Sequence, residues 1–124
     1  MLKVSLINPN FQTGPEHLNS YYLPYTIGAL WGYLVSDERI ANNFEINNWI
    51  FKRAEIAETV EQCKGADIAL MSLYIWNKNY CYKLAQELKK ANPNIIIIAG
   101  GPEVEWRDRD YHTKHPEIDS ICIN

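Results

Sequence analysis

The stretch Ile95-Ile96-Ile97-Ile98-Ala99-Gly100-Gly101-Pro102-Glu103-Val104 constrains this chain more than any other. Four consecutive isoleucines leave no polar alternate. The run therefore reads as a strand covered on both faces, the setting of a central parallel strand. Two glycines and a proline stop it abruptly. In open α/β sheets ligands bind outside the carboxyl ends of the strands. Two residues without side chains at that point let backbone and a large ligand approach closely.

The remaining chain supplies the other parts of such a sheet. Leu2 to Ile7 is a strand closed by Asn8-Pro9-Asn10, followed by a long polar loop with Gly14 and Pro15. Leu23 to Val35 has helical periodicity, with Pro24 in its first turn. Asn42 to Phe51 holds a second strand, its apolar face carried by Phe44, Ile46, Trp49 and Phe51. Arg53 to Lys64 is a helix that turns Ala54, Ile56, Ala57, Val60 and Cys63 inward and stops at Gly65. Asp67 to Leu73 is a third strand. A helix capped by Asn77 or Asn79 runs to Ala91, and Asn92-Pro93-Asn94 breaks it. The isoleucine strand is fourth, a short helix or turn covers Val104 to Lys114, and Ile118 to Ile123 is a fifth strand. Alternating strands and helices imply a parallel sheet with right-handed crossovers. The expected fold is α/β, a flavodoxin-like (Rossmann-like) three-layer domain with strand order 2-1-3-4-5. The chain ends just beyond a strand, where a covering helix is expected, so residues 1–124 read as one domain of a longer protein.

Composition excludes several classes. The chain has 124 residues, 47% of them hydrophobic, enough for one domain with a real core. The net charge of -3 with no basic stripe argues against nucleic acid. No segment reaches the ~20 apolar residues of a membrane span, and the Met1-Leu2-Lys3-Val4 start enters a strand directly, so no signal peptide is expected. Cys63, Cys81 and Cys122 lie far apart with no CxxC or CxxxCxxC pattern. Free thiols in a reducing cytoplasm are the expectation.

Three loops should meet at the carboxyl edge: Asn8-Pro9-Asn10-Phe11, Ser72-Leu73-Tyr74-Ile75-Trp76-Asn77, and Gly100-Gly101-Pro102-Glu103. They offer a hydroxyl, backbone N–H groups and aromatic faces, an inventory for a large, mostly neutral cofactor with an amide-rich or nucleotide-like tail. Taken singly, a Gly-Gly turn is just a tight turn and Ser72 a strand-end hydroxyl; together on one edge they favour a binding site. Trp76 fits packing and cofactor contact equally, and Tyr21 and Tyr22 fit core and pocket lining equally. His112 and His115 share a helical face but have no evident third ligand, and read as surface residues. The charged stretch Glu103 to Asp110 reads as a solvated face, with Trp106 hinting at cover. No Gly-x-Ser-x-Gly, His-Glu-x-x-His or phosphate-loop sequence occurs. A response-regulator reading fails because Asn8 and Ser72-Leu73-Tyr74 stand where acidic residues are needed. A flavin carrier ranks last because the first loop gives only Thr13 for a phosphate.

Ser72-Leu73-Tyr74 followed, one helix later, by strand-Gly100-Gly101 resembles cobalamin-binding domains of the methionine-synthase type. The likeness is closer to the N-terminal domain of cobalamin-dependent radical SAM proteins. It runs from Leu6-Ile7-Asn8-Pro9 through Tyr74-Ile75-Trp76-Asn77, Leu84-Ala85, Leu88-Lys89 and Asn92-Pro93 to Gly100-Gly101-Pro102-Glu103-Val104 and Pro116-Glu117-Ile118-Asp119-Ser120-Ile121. The resemblance implies cobalamin at Asn8, Pro9, Ser72, Tyr74, Trp76, Gly100, Gly101 and Pro102. It also implies a following radical SAM barrel, the partner of this domain, that holds a 4Fe-4S cluster and S-adenosylmethionine. The chain departs from the methionine-synthase type in one respect. The Asp-x-His-x-x-Gly loop is replaced by Asn8-Pro9-Asn10-Phe11-Gln12-Thr13, the nearest histidine is His17, and no axial His is implied. Asp110-Tyr111-His112 imitates the motif after the wrong strand. The alternative is the same fold without cobalamin, a structural or interaction domain that caps the barrel. In either case the isolated domain is expected to be catalytically inert.

Overall fold

The structure, a computed structural model, describes residues 1–15, 18 and 20–123. His17 and the terminal Asn124 lie outside the described residues. Strands β1 (Leu2–Asn10), β4 (Phe44–Lys52), β5 (Ile68–Ser72), β6 (Ile96–Gly100) and β7 (Ser120–Ile121) form one sheet. Its order is β4-β1-β5-β6-β7, every pair parallel. Numbered among these five alone, that is the expected 2-1-3-4-5, and the isoleucine strand lies inside the sheet. A small hairpin, β2 (Gln12–Thr13) with β3 (Ser20–Tyr21), occupies part of the expected polar loop.

Helices cover the two faces unequally. On one side α3 (Ile56–Gln62) and α4 (Lys78–Ala91), with the short α5 (Tyr111–Lys114), enclose the larger core. α4 shows why the sequence takes this form. Its buried residues Tyr80, Cys81, Leu84, Ala85 and Leu88 recur at three and four, one apolar face of an α-helix. They pack on Ile95, Ile97 and Ala99. Each fully buried Leu or Ile contributes roughly 1.5–3 kcal/mol. α3 and α4 are also joined by polar bonds. The Tyr80 hydroxyl donates to the Ala54 carbonyl at 2.7 Å, which leaves the Thr59 hydroxyl to donate to Tyr80 at 2.7 Å.

On the other side α1 (Tyr25–Leu34) buries Ile27 against Val4 and Leu6, flanked by Trp31, Phe44, Ile46, Ile68 and Leu70. Alternation along β6 puts Ile96 and Ile98 on this face too, and Ile96 remains 48% exposed. α1 thus covers only part of its side.

Several local differences from the sequence reading have physical causes. β1 continues through Asn8 and Pro9 to Asn10, with a register shift against β4 between Ile7 and Asn10. Pro9 lacks an N–H for the ladder and sits at that irregularity. A second shift between Val4 and Ser5 leaves Asn47 unpaired. The bulge lets Ile46 and Trp49, three apart, sit beside Val4 and Leu6 on one face, and Ile50 turns into the larger core. α2 (Glu38–Asn43) was not expected; Asp37 caps it by accepting from the Arg39 N–H. Val104 to Lys114 contains only the four-residue α5, and the last strand is confined to Ser120–Ile121. Ala57 is exposed on α3, against expectation, because Thr59 takes the inward position. None of the described helices is long and apolar enough to cross a membrane.

Candidate functional site

Parallel pairing of β1, β5 and β6 brings the ends Asn10, Ser72 and Gly100 to one edge, as the sequence required. Ser72 and Gly100 are register partners. Both lie on the α1 side of the sheet, since Leu70 and Ile98 alternate with them. Ser72 is buried and its hydroxyl has no hydrogen-bond partner among the described residues. Beside it Gly100 offers no side chain. The two residues therefore place a hydroxyl beside a position without a side chain, next to half-buried Leu70 and Ile98.

The loop after β5 builds an aromatic shelf. Tyr74 and Trp76 stack with ring centres 4.6 Å apart and planes 15° from parallel. Trp76 Nε1 donates to Asn10 Oδ1 at 3.2 Å, and Phe11 stands edge-on to Trp76. The Tyr74 hydroxyl pairs with Thr26 Oγ1 on α1 at 3.0 Å. Trp76 keeps 42% of its surface exposed. An anchored indole that stays partly exposed can pack against a flat, polarisable ring system.

Asn77 holds the loop in shape. It stands at the N-cap position of α4, yet its side chain turns back into the loop rather than capping the helix. Oδ1 accepts from the Tyr74 N–H at 2.8 Å; Nδ2 donates to the Ser72 carbonyl at 3.0 Å and to Asn8 Oδ1 at 3.3 Å. Asn8 is thereby buried and engaged, and Pro9 is buried with it. These two candidates support the edge from within the sheet.

The Gly-Gly turn divides its work between its two residues. Gly101 has φ +97°, and a Cβ there would lie 2.6 Å from the Leu73 carbonyl oxygen. Backbone crowding demands this glycine. The turn is closed by Leu73 N–H to Gly100 O, Glu103 N–H to Leu73 O and Val104 N–H to Gly101 O bonds. A Cβ on Gly100 would make only ordinary contact with Cys122, at 3.5 Å. Gly100 is the position whose bareness the fold does not require. Pro102 is exposed at the rim.

Charge near the edge is sparse and satisfied. Arg53 donates to the Trp76 carbonyl at 3.1 Å, and Lys78 pairs with Glu103 at 3.0 Å. Thr26, Arg53 and the bracing bonds of Asn77 were not singled out from the sequence. Only Asn77 left a signal, an Asx residue three after Tyr74 in a loop. His112 and His115 are tied elsewhere: His112 Nδ1 meets the Ile118 carbonyl at 3.0 Å, and His115 stacks on Tyr82 at 3.8 Å. Among the described residues no group of three or more His, Cys, Asp and Glu could hold a metal ion. Tyr22 lies edge-on to Phe11 and so borders the shelf, whereas Tyr21 lies edge-on to Phe51 on β4. Trp106 is half-exposed, with the Arg107 guanidinium over its ring.

The domain is thus a flavodoxin-like α/β domain with an aromatic carboxyl edge short of side chains. Residues 38–124 match the B12 binding domain family, and the chain belongs to that family. Its relatives include the cobalamin-dependent radical SAM methyltransferase TokK of Streptomyces tokunonensis, 35% identical over 106 residues, 85% of this chain and 16% of that protein. The 2-(S-pantetheinyl)-carbapenam-3-carboxylate methyltransferase of Streptantibioticus cattleyicolor is 30% identical over 100 residues, 81% of this chain and 15% of that protein. The chain thus matches about a sixth of the length of these relatives. A type II dehydroquinase from Butyrivibrio crossotus shares the fold alone: TM-score 0.51 at 16% identity, over 99% of this chain and 86% of that one.

Proposed function

We propose that this chain is the cobalamin-binding module of a longer cytoplasmic radical SAM methyltransferase. The observation that carries the reading is the pairing of Ser72 with bare Gly100 at the strand ends, with the Tyr74–Trp76 stack in the adjoining loop, in a domain of the B12 binding family. The residues fit the group. Cobalamin is a flat macrocycle fringed with amides and bearing a nucleotide tail. Ser72 supplies the unspent hydroxyl, Gly100 the room, and Gly101 and Pro102 the backbone rim for the tail. The stacked Tyr74 and Trp76 offer their open aromatic surface to the macrocycle. Asn8 holds this edge from below through Asn77, with Pro9 buried next to it. When bound, cobalamin supplies a transferable methyl group.

The domain's own part is to bind and orient. Near the edge Lys78 and Glu103 are spent on each other, and the sequence likeness implies no axial imidazole. The 4Fe-4S cluster and S-adenosylmethionine belong to the barrel of the longer protein. Cys63 and Cys81 do not suit a cluster: both are buried, and burial pushes both thiols up, Cys81 to about 12.

The site assignment is tested on the longer protein by titrating wild type, Ser72→Ala and Gly100→Val with hydroxocobalamin, followed by absorbance. Gly100→Val adds a side chain at the bare position and should weaken binding by about tenfold or more, a loss of about 1.4 kcal/mol or more. Ser72→Ala should weaken it by a smaller factor. Equal affinity in all three would remove the assignment. No binding by wild type would favour the interaction domain that caps the barrel.

A further inference from the structure

We propose that the outer face of α1 is the surface on which the rest of the polypeptide docks. This rests on the reading of the chain as one module of a longer protein. α1 is uncharged and apolar around its whole circumference, the pattern of a helix covered on all sides. No charged residue occurs in the seventeen positions from Ser20 to Ser36. Yet only Ile27 is buried: Leu23 is 82% exposed, Tyr25 76% and Tyr33 79%, with Leu30 partly exposed between them. Large apolar side chains exposed together on and just before one helix mark an interface.

The occupant follows from three observations. The face continues directly from the candidate site: Thr26 bonds to Tyr74, and Tyr22 packs on Phe11 beside Trp76. A body that closes over the shelf would therefore reach α1. The matched segment is only 16% and 15% of the two relatives, so in those proteins a much larger mass belongs to the same polypeptide. Finally, a ten-residue helix is ~15 Å long. It offers far less than the ~800 Å² per partner of a stable dimer between free chains. A tethered body needs less area, because the linker supplies the effective concentration. A lipid surface fits poorly, since membrane-surface helices carry Lys and Arg on their polar face.

The test is hydroxyl-radical footprinting of the full-length polypeptide, read residue by residue by mass spectrometry. The same polypeptide unfolded in urea gives the rate of open tyrosines, and Tyr111, 2% exposed, serves as the internal reference for a covered one. The proposal expects Tyr25 and Tyr33 to be oxidised at least about fivefold more slowly in the folded, monomeric sample than in urea, near the rate of Tyr111. Folded rates near those in urea would overturn it. So would protection that appears only with dimerisation in light scattering, or only when anionic vesicles are added. Cobalamin content of the same sample is measured separately. A chain that binds cobalamin with α1 open loses this inference alone; one with α1 protected and no cobalamin loses the cofactor reading alone.

Discussion

Gly100 and Gly101 are adjacent, identical and differently constrained. Gly101 satisfies the backbone: positive φ and a carbonyl 2.6 Å from any Cβ leave no place for a side chain. Gly100 meets no such obstacle. A Gly101→Ala chain should lose at least about 2 kcal/mol of stability, by denaturant unfolding, through strain at that turn. A loss no larger than that of Gly100→Ala would contradict the distinction. The sequence showed both glycines and their place at the strand end, but not which one the chain itself needs. That depends on Leu73, twenty-eight positions away, crossing over the turn. Asn8 is the same kind of case. It is visible in the sequence as a loop residue, but its role is fixed by a 3.3 Å bond to Asn77 that only the assembled edge creates.

Among elements, the joints between α4, β6 and β7 rest on one carboxylate. Asp119 Oδ2 accepts from Lys89 Nζ at 2.7 Å and from the Ile97 N–H at 2.7 Å; Lys89 also donates to the Ile95 carbonyl. Burial pushes this carboxyl up, but Lys89 and the Ile97 N–H outweigh burial and hold it below 3.8. The folded value is lower than the unfolded one. The stabilisation is therefore complete above about pH 4 and fades as pH falls through the folded value. Asp119→Asn should cost about 1 kcal/mol at pH 7, a figure reduced for the carboxylate's partial exposure. The difference from wild type should shrink in thermal unfolding below pH 4, and a pH-independent difference would count against this account. The elements themselves were largely legible. Buried strands declared themselves by unbroken apolar runs, and α4 by its three-four spacing. The bulge at Asn47 and the short α2 were not, because a single unpaired residue and a six-residue helix leave little periodicity to read.

At the scale of the molecule, the two faces of the sheet tell different stories. The α3–α4 side is a finished core. The α1 side leaves Ile96 and α1 itself with open apolar surface. Such a surface is what the proposed docking on α1 would cover, and the chain matches only a small share of its relatives. Fold order, edge and family likeness could be read from the chain because each is carried by local patterns. The asymmetry of cover could not, since it depends on which helix lands on which face. The central claim is that the carboxyl edge holds cobalamin. It is tested most directly by loading the full-length polypeptide with hydroxocobalamin, removing free cofactor by gel filtration, and measuring retained cobalamin by absorbance. The account predicts about one cobalamin per chain at saturation; a full-length, folded polypeptide that emerges with none would contradict it.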